Sequence, residues 1–141
     1  MGREVLLYVE DEDAAAFLLE TAIKEAQIDL ELRRVSDGEQ ALAYLNHSDG
    51  YERAPDPNLI LLDLNLPKKN GFQVLKELHQ ADGLRNIPVI VFTSSALPRD
   101  RKDSMALGAR DFITKPQSFD ELVNALRSAF NRYMGHSTAS A

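Results

Sequence analysis

Five short runs rich in apolar residues alternate along the chain with five longer segments whose apolar residues recur every three or four positions. Short apolar runs between turn residues are typical of strands buried in a parallel sheet, and the longer spacing is typical of helices. One run, Leu30–Val35, alternates apolar with charged residues, which predicts a strand near a sheet edge. The predicted strands cover residues 4–9, 30–35, 59–62, 88–92 and 111–114, and the predicted helices cover residues 14–26, 36–46, 70–81, 98–107 and 118–132.

Polar residues and glycine mark where several of these helices begin or end. Ser36–Glu39 and Ser118–Glu121 fit the capping-box pattern, in which a hydroxyl and a carboxylate three residues later each bind a free backbone N–H group. Asp11 or Asp13 could cap the first helix, and Gly108 is suited to end the fourth. The strict alternation of strands and helices predicts a parallel sheet with helices on both faces, because each crossover is right-handed.

Size and composition fit one domain. The chain has 141 residues, of which 44% are hydrophobic, and this is enough for a single core. We expect the domain to cover residues 1–134, followed by a disordered tail at residues 135–141 and no output domain. Cysteine is absent, which excludes a disulfide framework and fits a cytoplasmic protein. The net charge of -6 argues against nucleic-acid binding, and no apolar run approaches the roughly 20 residues that span a membrane.

The apolar run Leu59–Leu62 stops at a single carboxylate, Asp63. Open α/β sheets bind their ligands at the carboxyl ends of the strands, and a carboxylate that ends a doubly buried strand is costly without a partner. We therefore interpret Asp63 as a nucleophile that accepts a phosphoryl group and forms an acyl phosphate.

Polar side chains follow or end three further predicted strands: Glu10 with Asp11, Thr93, and Lys115. Each alone is better explained as a solvated acidic loop, a hydroxyl bound to the backbone, or a surface lysine. The ends of parallel strands meet at one edge of the sheet, so the joint occurrence of these groups with Asp63 predicts a phosphoryl-transfer site. Thr93 would donate its hydroxyl to one phosphoryl oxygen, and the Lys115 ammonium group would neutralise another.

The clustered carboxylates would repel an incoming phosphoryl group unless a cation lies among them. Mg2+ fits, because it prefers oxygen ligands and needs only one or two carboxylates. We expect Asp11 and Asp63 to bind it directly and Glu10 to bind it through water. The backbone carbonyl of Asn65 is a further expected ligand.

Four motifs together resemble the receiver domains of bacterial response regulators over essentially the whole chain. They are Tyr8–Asp11, Leu61–Pro67 with Gly71, Val91–Ser94 and Gly108–Pro116. The resemblance implies a flavodoxin-like α/β fold of five βα units, a doubly wound parallel sheet with strand order 2-1-3-4-5. It also implies a sensor histidine kinase as the phosphodonor.

The same resemblance implies roles for residues near the strand ends. The peptide bond between Lys115 and Pro116 would be cis. Thr93 and Phe112 would move together on phosphorylation and change the face formed by the fourth helix, the fifth strand and the fifth helix. One position departs from the family: Glu10 stands where aspartate is more common, and its longer side chain could hold a metal-bound water.

A narrower resemblance involves residues 64–71 and the long loop 47–57, which are similar to those of stand-alone receivers paired with cyanobacterial phytochrome kinases. It implies a phytochrome as the kinase and a homodimer formed through the last helices. Phe130, Tyr133 and Met134 give the final helix more apolar surface than one core face needs, which supports that expectation.

Two other classes of protein share parts of this pattern. A phosphatase of the haloacid dehalogenase type also uses a strand-end aspartate, but it needs a second acid two residues later, where this chain has Asn65. A flavin-binding module of the same topology needs hydroxyls and glycines after the first strand, where residues 10–13 are acidic. The sequence therefore favours a signalling module over an enzyme.

Overall fold

The computed structural model describes residues 3–134 as one five-stranded parallel sheet with helices on both faces. The strands are β1 Val5–Val9, β2 Glu31–Val35, β3 Leu59–Leu62, β4 Val89–Thr93 and β5 Asp111–Thr114. The helices are α1 Asp13–Glu25, α2 Gly38–Leu45, α3 Gly71–Gln80, α4 Pro98–Ala106 and α5 Phe119–Tyr133. The predicted tail at residues 135–141 lies outside the described residues.

The strand order β2-β1-β3-β4-β5 confirms the expected topology, and the alternating run of the second strand does lie at a sheet edge. In the register of the sheet, Val9 pairs with Leu62 and Leu62 pairs with Val91, while Thr93 pairs with Thr114. Because all of these strands are parallel, the residues that follow them lie along one edge.

The sheet separates two apolar cores, because successive side chains of a strand point to opposite faces. On one face, Leu6 and Tyr8 of β1 pack with buried residues of α1 and α5. On the other face, Leu7 and Val9 pack with buried residues of α2 and α3. All four residues of β3 are buried, so Asp63 follows a strand that is covered on both sides.

The second helix begins one residue later than the capping-box pattern predicts. Asp37 is its N-cap, with a carboxylate oxygen that accepts the N–H of Gln40 at 2.7 Å. The Gln40 side chain in turn accepts the N–H of Ser36 at 2.8 Å. The predicted box at 36–39 is therefore wrong by one position, since the Asp37 carboxylate takes the capping role assigned to Ser36.

The caps of the first and last helices differ from each other. Ser118 caps α5 as predicted, because its hydroxyl accepts the Glu121 N–H at 3.1 Å, but the Glu121 carboxylate binds that hydroxyl rather than a backbone group. The N-cap of α1 is Glu12, which makes no side-chain capping hydrogen bond. The expectation that Asp11 or Asp13 caps this helix is therefore wrong.

The apolar residues at the end of α5 belong to the core of the domain. Phe130 and Met134 are buried in the same cluster as the inner face of α1. Tyr133 is half-buried, and its hydroxyl donates to the carbonyl of Arg110 at 3.3 Å. The expectation that Phe130 and Met134 supply a self-association surface is wrong, because both side chains pack inward.

The peptide bond between Lys115 and Pro116 is trans, as are all peptide bonds of residues 3–134. The expected cis bond is therefore wrong. The trans isomer is the intrinsically preferred form before proline, and the Lys115 side chain reaches its acidic partners with this geometry. Across the same residues, no helix combines the length and apolar character needed to cross a membrane.

Candidate functional site

Side chains from three strand ends converge at the carboxyl edge of the sheet. Carboxylate oxygens of Glu10, Asp11 and Asp63, one from each residue, lie within 4.8 Å of one another. The Lys115 ammonium nitrogen lies 2.5 Å from Oε1 of Glu10 and 3.1 Å from Oδ2 of Asp63. The structure thus brings together the acidic and basic groups that the sequence places after β1, β3 and β5.

The acidic groups outnumber the single ammonium group, and they differ in exposure. Glu10 is fully buried and Asp63 is 5% exposed, whereas Asp11 is exposed. Closely spaced carboxylates at the mouth of a partly buried site favour a cation, and a set of carboxylate oxygens suits a hard divalent ion. The residues present therefore fit a divalent metal site that opens to solvent on the side of Asp11.

The carboxyl group of Glu10 has donors on both oxygens. Its Oε1 accepts hydrogen bonds from Lys115 and, at 3.1 Å, from the hydroxyl of Tyr8, and its Oε2 accepts the N–H of Glu12 at 3.1 Å. Glu10 is thus bound by donors of the protein, whereas Asp11 is exposed at the mouth of the cluster. The expected role of Glu10 as a metal ligand through water stays a prediction.

Burial and charge act in opposite directions on the two partners of this ion pair. Burial raises the pKa of the Glu10 carboxyl group, and the hydrogen bond and charge of Lys115 oppose that rise without cancelling it. Burial by itself lowers the pKa of Lys115, but the hydrogen bond to Glu10 and the charges of Asp63 and Glu10 outweigh it, so the pKa of Lys115 is raised. The lysine therefore remains an ammonium ion.

The backbone around Asp63 is tightly confined. Its Oδ1 accepts the N–H of Asn65 at 3.2 Å, which orients the carboxylate, while the role of the Asn65 carbonyl as a metal ligand stays a prediction. A Cβ atom at Gly71 would overlap the carbonyl oxygen of Asp63. The glycine of the motif is thus required because α3 begins directly against the backbone of the acidic residue.

Thr93 is the last residue of β4, and Phe112 lies on the neighbouring strand β5, three residues before Lys115. Thr93 is fully buried; its hydroxyl accepts the N–H of Ser95 at 3.4 Å, and its carbonyl accepts the N–H of Lys115 at 2.7 Å. Phe112 is buried in the core, and its carbonyl accepts a hydrogen bond from Arg101 of α4 at 3.0 Å. The coupled movement of the two residues stays a prediction.

Two contacts at the site involve residues that the sequence analysis does not single out for chemistry. Tyr8 donates its hydroxyl to Glu10, and its only sequence signal is a polar aromatic residue inside an aliphatic run. Arg34 of β2 donates to the carbonyl of Glu10 at 3.0 Å and pairs with Asp13 at 2.8 Å. Its charge at a strand end was a weaker signal, because charged residues are common on edge strands.

Comparison with known proteins places these observations in one family. The family model described as the response regulator receiver domain matches residues 6–127 of this chain. The response regulator Rcp1 of Synechocystis sp. (strain ATCC 27184 / PCC 6803 / Kazusa) is 43% identical over 119 residues, which span 84% of this chain and 81% of that protein.

Solved structures with a similar fold include the phosphorylated cyanobacterial phytochrome response regulator RcpA and the Mn(2+)-bound form of Rcp1. The RcpA structure has a TM-score of 0.88 at 33% identity and covers 99% of this chain and 100% of its own. The Rcp1 structure has a TM-score of 0.85 at 38% identity, with coverage of 98% and 99%. The response regulator RPA3017 in red light signaling of R. palustris has a TM-score of 0.89 at 30% identity, and covers 96% of each chain.

Proposed function

The chain belongs to the response regulator receiver domain family, and from this membership we propose that Asp63 is its phosphoacceptor, with Mg2+ as the metal. The observation that carries the proposal is the convergence of Glu10, Asp11 and Asp63 with the ammonium group of Lys115. The acids would hold a divalent ion, and the lysine would supply a second cationic group.

In the proposed step, a carboxylate oxygen of Asp63 forms a bond to phosphorus. The bond from phosphorus to the donor breaks: a P–N bond in a phosphohistidine, or the P–O bond to acetate in acetyl phosphate. The electron pair of that bond leaves with the imidazole or the acetate. Asp63 is suited to this role because its Oδ1 is held by the Asn65 N–H while Oδ2 faces Lys115.

The residues that would hold Mg2+ are Asp11 and Asp63 directly, Glu10 through water and Asn65 through its carbonyl. When bound, the ion neutralises the charge of the carboxylates and of the phosphoryl oxygens. Lys115 would balance a further phosphoryl oxygen as a mobile positive charge. The similarity to Rcp1, whose structure is described as Mn(2+)-bound, supports the binding of a divalent ion.

Incubation with acetyl phosphate and Mg2+ tests this proposal directly. We expect the intact protein to gain the mass of one phosphoryl group, and we expect no gain in the Asp63→Asn variant, because an amide is a poor nucleophile. Intact-protein mass spectrometry measures the change. Asp56→Asn, in the exposed loop before β3, is a matched control that should gain the group. A wild-type protein that stays unmodified, or an Asp63→Asn variant that is modified, would contradict the assignment.

The proposed partner is a sensor histidine kinase of the phytochrome class. The support is the likeness to RcpA, described as a phytochrome response regulator, and to RPA3017, described in red light signaling. We propose a cytoplasmic signalling role that involves neither nucleic acid nor a membrane, in keeping with the net charge of -6. A signalling role also fits Asn65 better than turnover of phosphate esters does, since an amide cannot act as the second acid.

The output surface in this proposal is the face formed by α4, β5 and α5, which Thr93 and Phe112 would change after phosphorylation. Contacts already connect these elements: Arg101 of α4 binds the Phe112 carbonyl, and Arg132 of α5 lies 3.4 Å from Asp111 of β5. Rearrangement on β5 would therefore be passed to both helices.

We also propose that phosphorylation promotes homodimer formation through this face. Leu97 is 58% exposed at the start of α4 and offers apolar surface there. Analytical ultracentrifugation before and after acetyl phosphate treatment should show an increase in sedimentation coefficient only in the treated protein. The Leu97→Ser variant should show a smaller increase after the same treatment. An unchanged coefficient in phosphorylated protein would contradict dimer formation.

A further inference from the structure

Tyr8 connects the apolar core to the acidic site. Its side chain is 1% exposed, and its ring meets that of Phe92 edge-on, with centroids 6.3 Å apart. Its hydroxyl donates to Oε1 of Glu10 at 3.1 Å.

Glu10 depends on such donors because it has no access to solvent. A buried carboxylate without hydrogen bonds is strongly unfavourable, and this one is fully buried. Its closest partner is the ammonium nitrogen of Lys115, at 2.5 Å. The remaining donors are the Tyr8 hydroxyl and the N–H of Glu12.

Lys115 is shared between two functions at this site. Its ammonium nitrogen lies closer to Glu10 than to Asp63. The proposed function, however, needs that ammonium group beside an oxygen of the phosphoryl group that Asp63 carries. As the ammonium group moves toward the phosphoryl group, Glu10 loses its nearest partner while it remains buried. The cost of that loss opposes phosphorylation unless another donor stays on Oε1, because the Glu12 N–H binds only Oε2.

We propose that Tyr8 is a positioning residue whose hydroxyl stays on Glu10 and thereby releases Lys115 for the phosphoryl group. The inference rests on the proposed function and adds a residue to it. Tyr8 is not among the residues proposed to hold the metal or the phosphoryl group, and it acts through Glu10. A phenylalanine would fill the same space against Phe92, so the hydroxyl is the part of the side chain that this role requires.

Tyr8→Phe tests the inference through the rate of phosphorylation. We expect the rate of phosphorylation by acetyl phosphate at saturating Mg2+ to fall roughly three- to tenfold. Without the tyrosine hydroxyl, Oε1 of the buried Glu10 carboxylate has no hydrogen bond from residue 8 once Lys115 moves away. Tyr44→Phe is a matched control: Tyr44 is also buried, and its hydroxyl donates to the carbonyl of Pro55 at 2.8 Å, in the loop between α2 and β3. Its rate should stay within about twofold of the wild-type rate.

A double-mutant cycle with Glu10→Gln separates positioning from packing. If Tyr8 acts through Glu10, Tyr8→Phe should change the rate by less than about twofold in the Glu10→Gln background, since coupled residues give non-additive effects. Urea unfolding without metal supplies an independent readout. There, Tyr8→Phe should lower the folding equilibrium constant about tenfold in the wild-type background and clearly less in the Glu10→Gln background.

The outcomes distinguish this inference from the proposed function. A wild-type protein that accepts no phosphoryl group would overturn the proposed function and the inference together. A wild-type protein that is phosphorylated, with Tyr8→Phe reacting at the same rate, would overturn only the role of Tyr8. Equal effects of Tyr8→Phe in both backgrounds would show that the tyrosine contributes packing alone.

Discussion

Replacing Asp11 by asparagine is expected to weaken Mg2+ binding by about a hundredfold and to slow phosphorylation of Asp63 accordingly. Asp11 is the exposed member of the acidic cluster, and it is a proposed direct ligand, whose loss should cost at least as much as the roughly 10- to 100-fold typical of outer groups. The amide keeps the shape of the side chain but removes its charge. Isothermal titration calorimetry with Mg2+ measures the dissociation constant.

Asp13→Asn is the matched control for this prediction. Asp13 is also exposed, two residues later at the start of α1, but it pairs with Arg34 at 2.8 Å rather than joining the cluster. Its replacement should change the dissociation constant by less than about threefold. Equal affinities in wild type and Asp11→Asn would remove Asp11 from the metal site, whatever the phosphorylation rate.

Replacing Phe130 by alanine is expected to lower the free energy of unfolding by about 3–5 kcal/mol, the usual cost of truncating a buried phenylalanine. The side chain is fully buried between α5, α1 and the sheet, so its loss leaves a cavity. Urea denaturation followed by circular dichroism measures the change.

Phe17→Ala provides the comparison for Phe130. Phe17 lies on α1 and is 68% exposed, so its truncation should change the unfolding free energy by less than about 0.5 kcal/mol. If Phe130→Ala left the stability unchanged and altered the sedimentation of the protein instead, the residue would belong to an interface between copies and not to the core.

The elements that could be predicted from the sequence are those in which local pattern and burial agree. The run Leu59–Leu62 is apolar throughout because β3 is covered on both faces. Leu30–Val35 alternates because the edge strand is only partly covered: Leu30 and Val35 are buried, whereas Arg33 is exposed. The convergence of Asp63 and Lys115 could also be predicted, because parallel strands place their ends at one edge.

Whether the apolar side chains at the end of α5 face the core or the solvent is harder to predict. The apolar excess of Phe130 and Met134 is equally consistent with a surface patch and with a helix that packs inward to its last turn. Only the approach of α5 to α1 and the sheet decides between them. The same holds for the start of α2, where Ser36 and Asp37 are both good caps and the end of β2 determines which one is used.

The contacts around Glu10 could not be predicted for a related reason. Its partners come from β1, from the loop before α1 and from the residue after β5, and hydrogen bonds between distant segments leave no periodic signal. The position of Tyr8 within the predicted strand 4–9 indicates a buried ring, and the ring is indeed buried. The hydrogen-bond partner of the Tyr8 hydroxyl depends on the length of the Glu10 side chain.

The ion pair between Glu10 and Lys115 connects residues that are 105 positions apart. A chain emerging from the ribosome would therefore display its acidic loop long before the lysine that balances it. Until Lys115 has been synthesised, the nascent polypeptide lacks the ammonium group that binds Glu10 and Asp63. Competence for signalling is thus tied to the synthesis of nearly the whole domain, and fragments that stop short of the fifth strand should be inert toward the kinase.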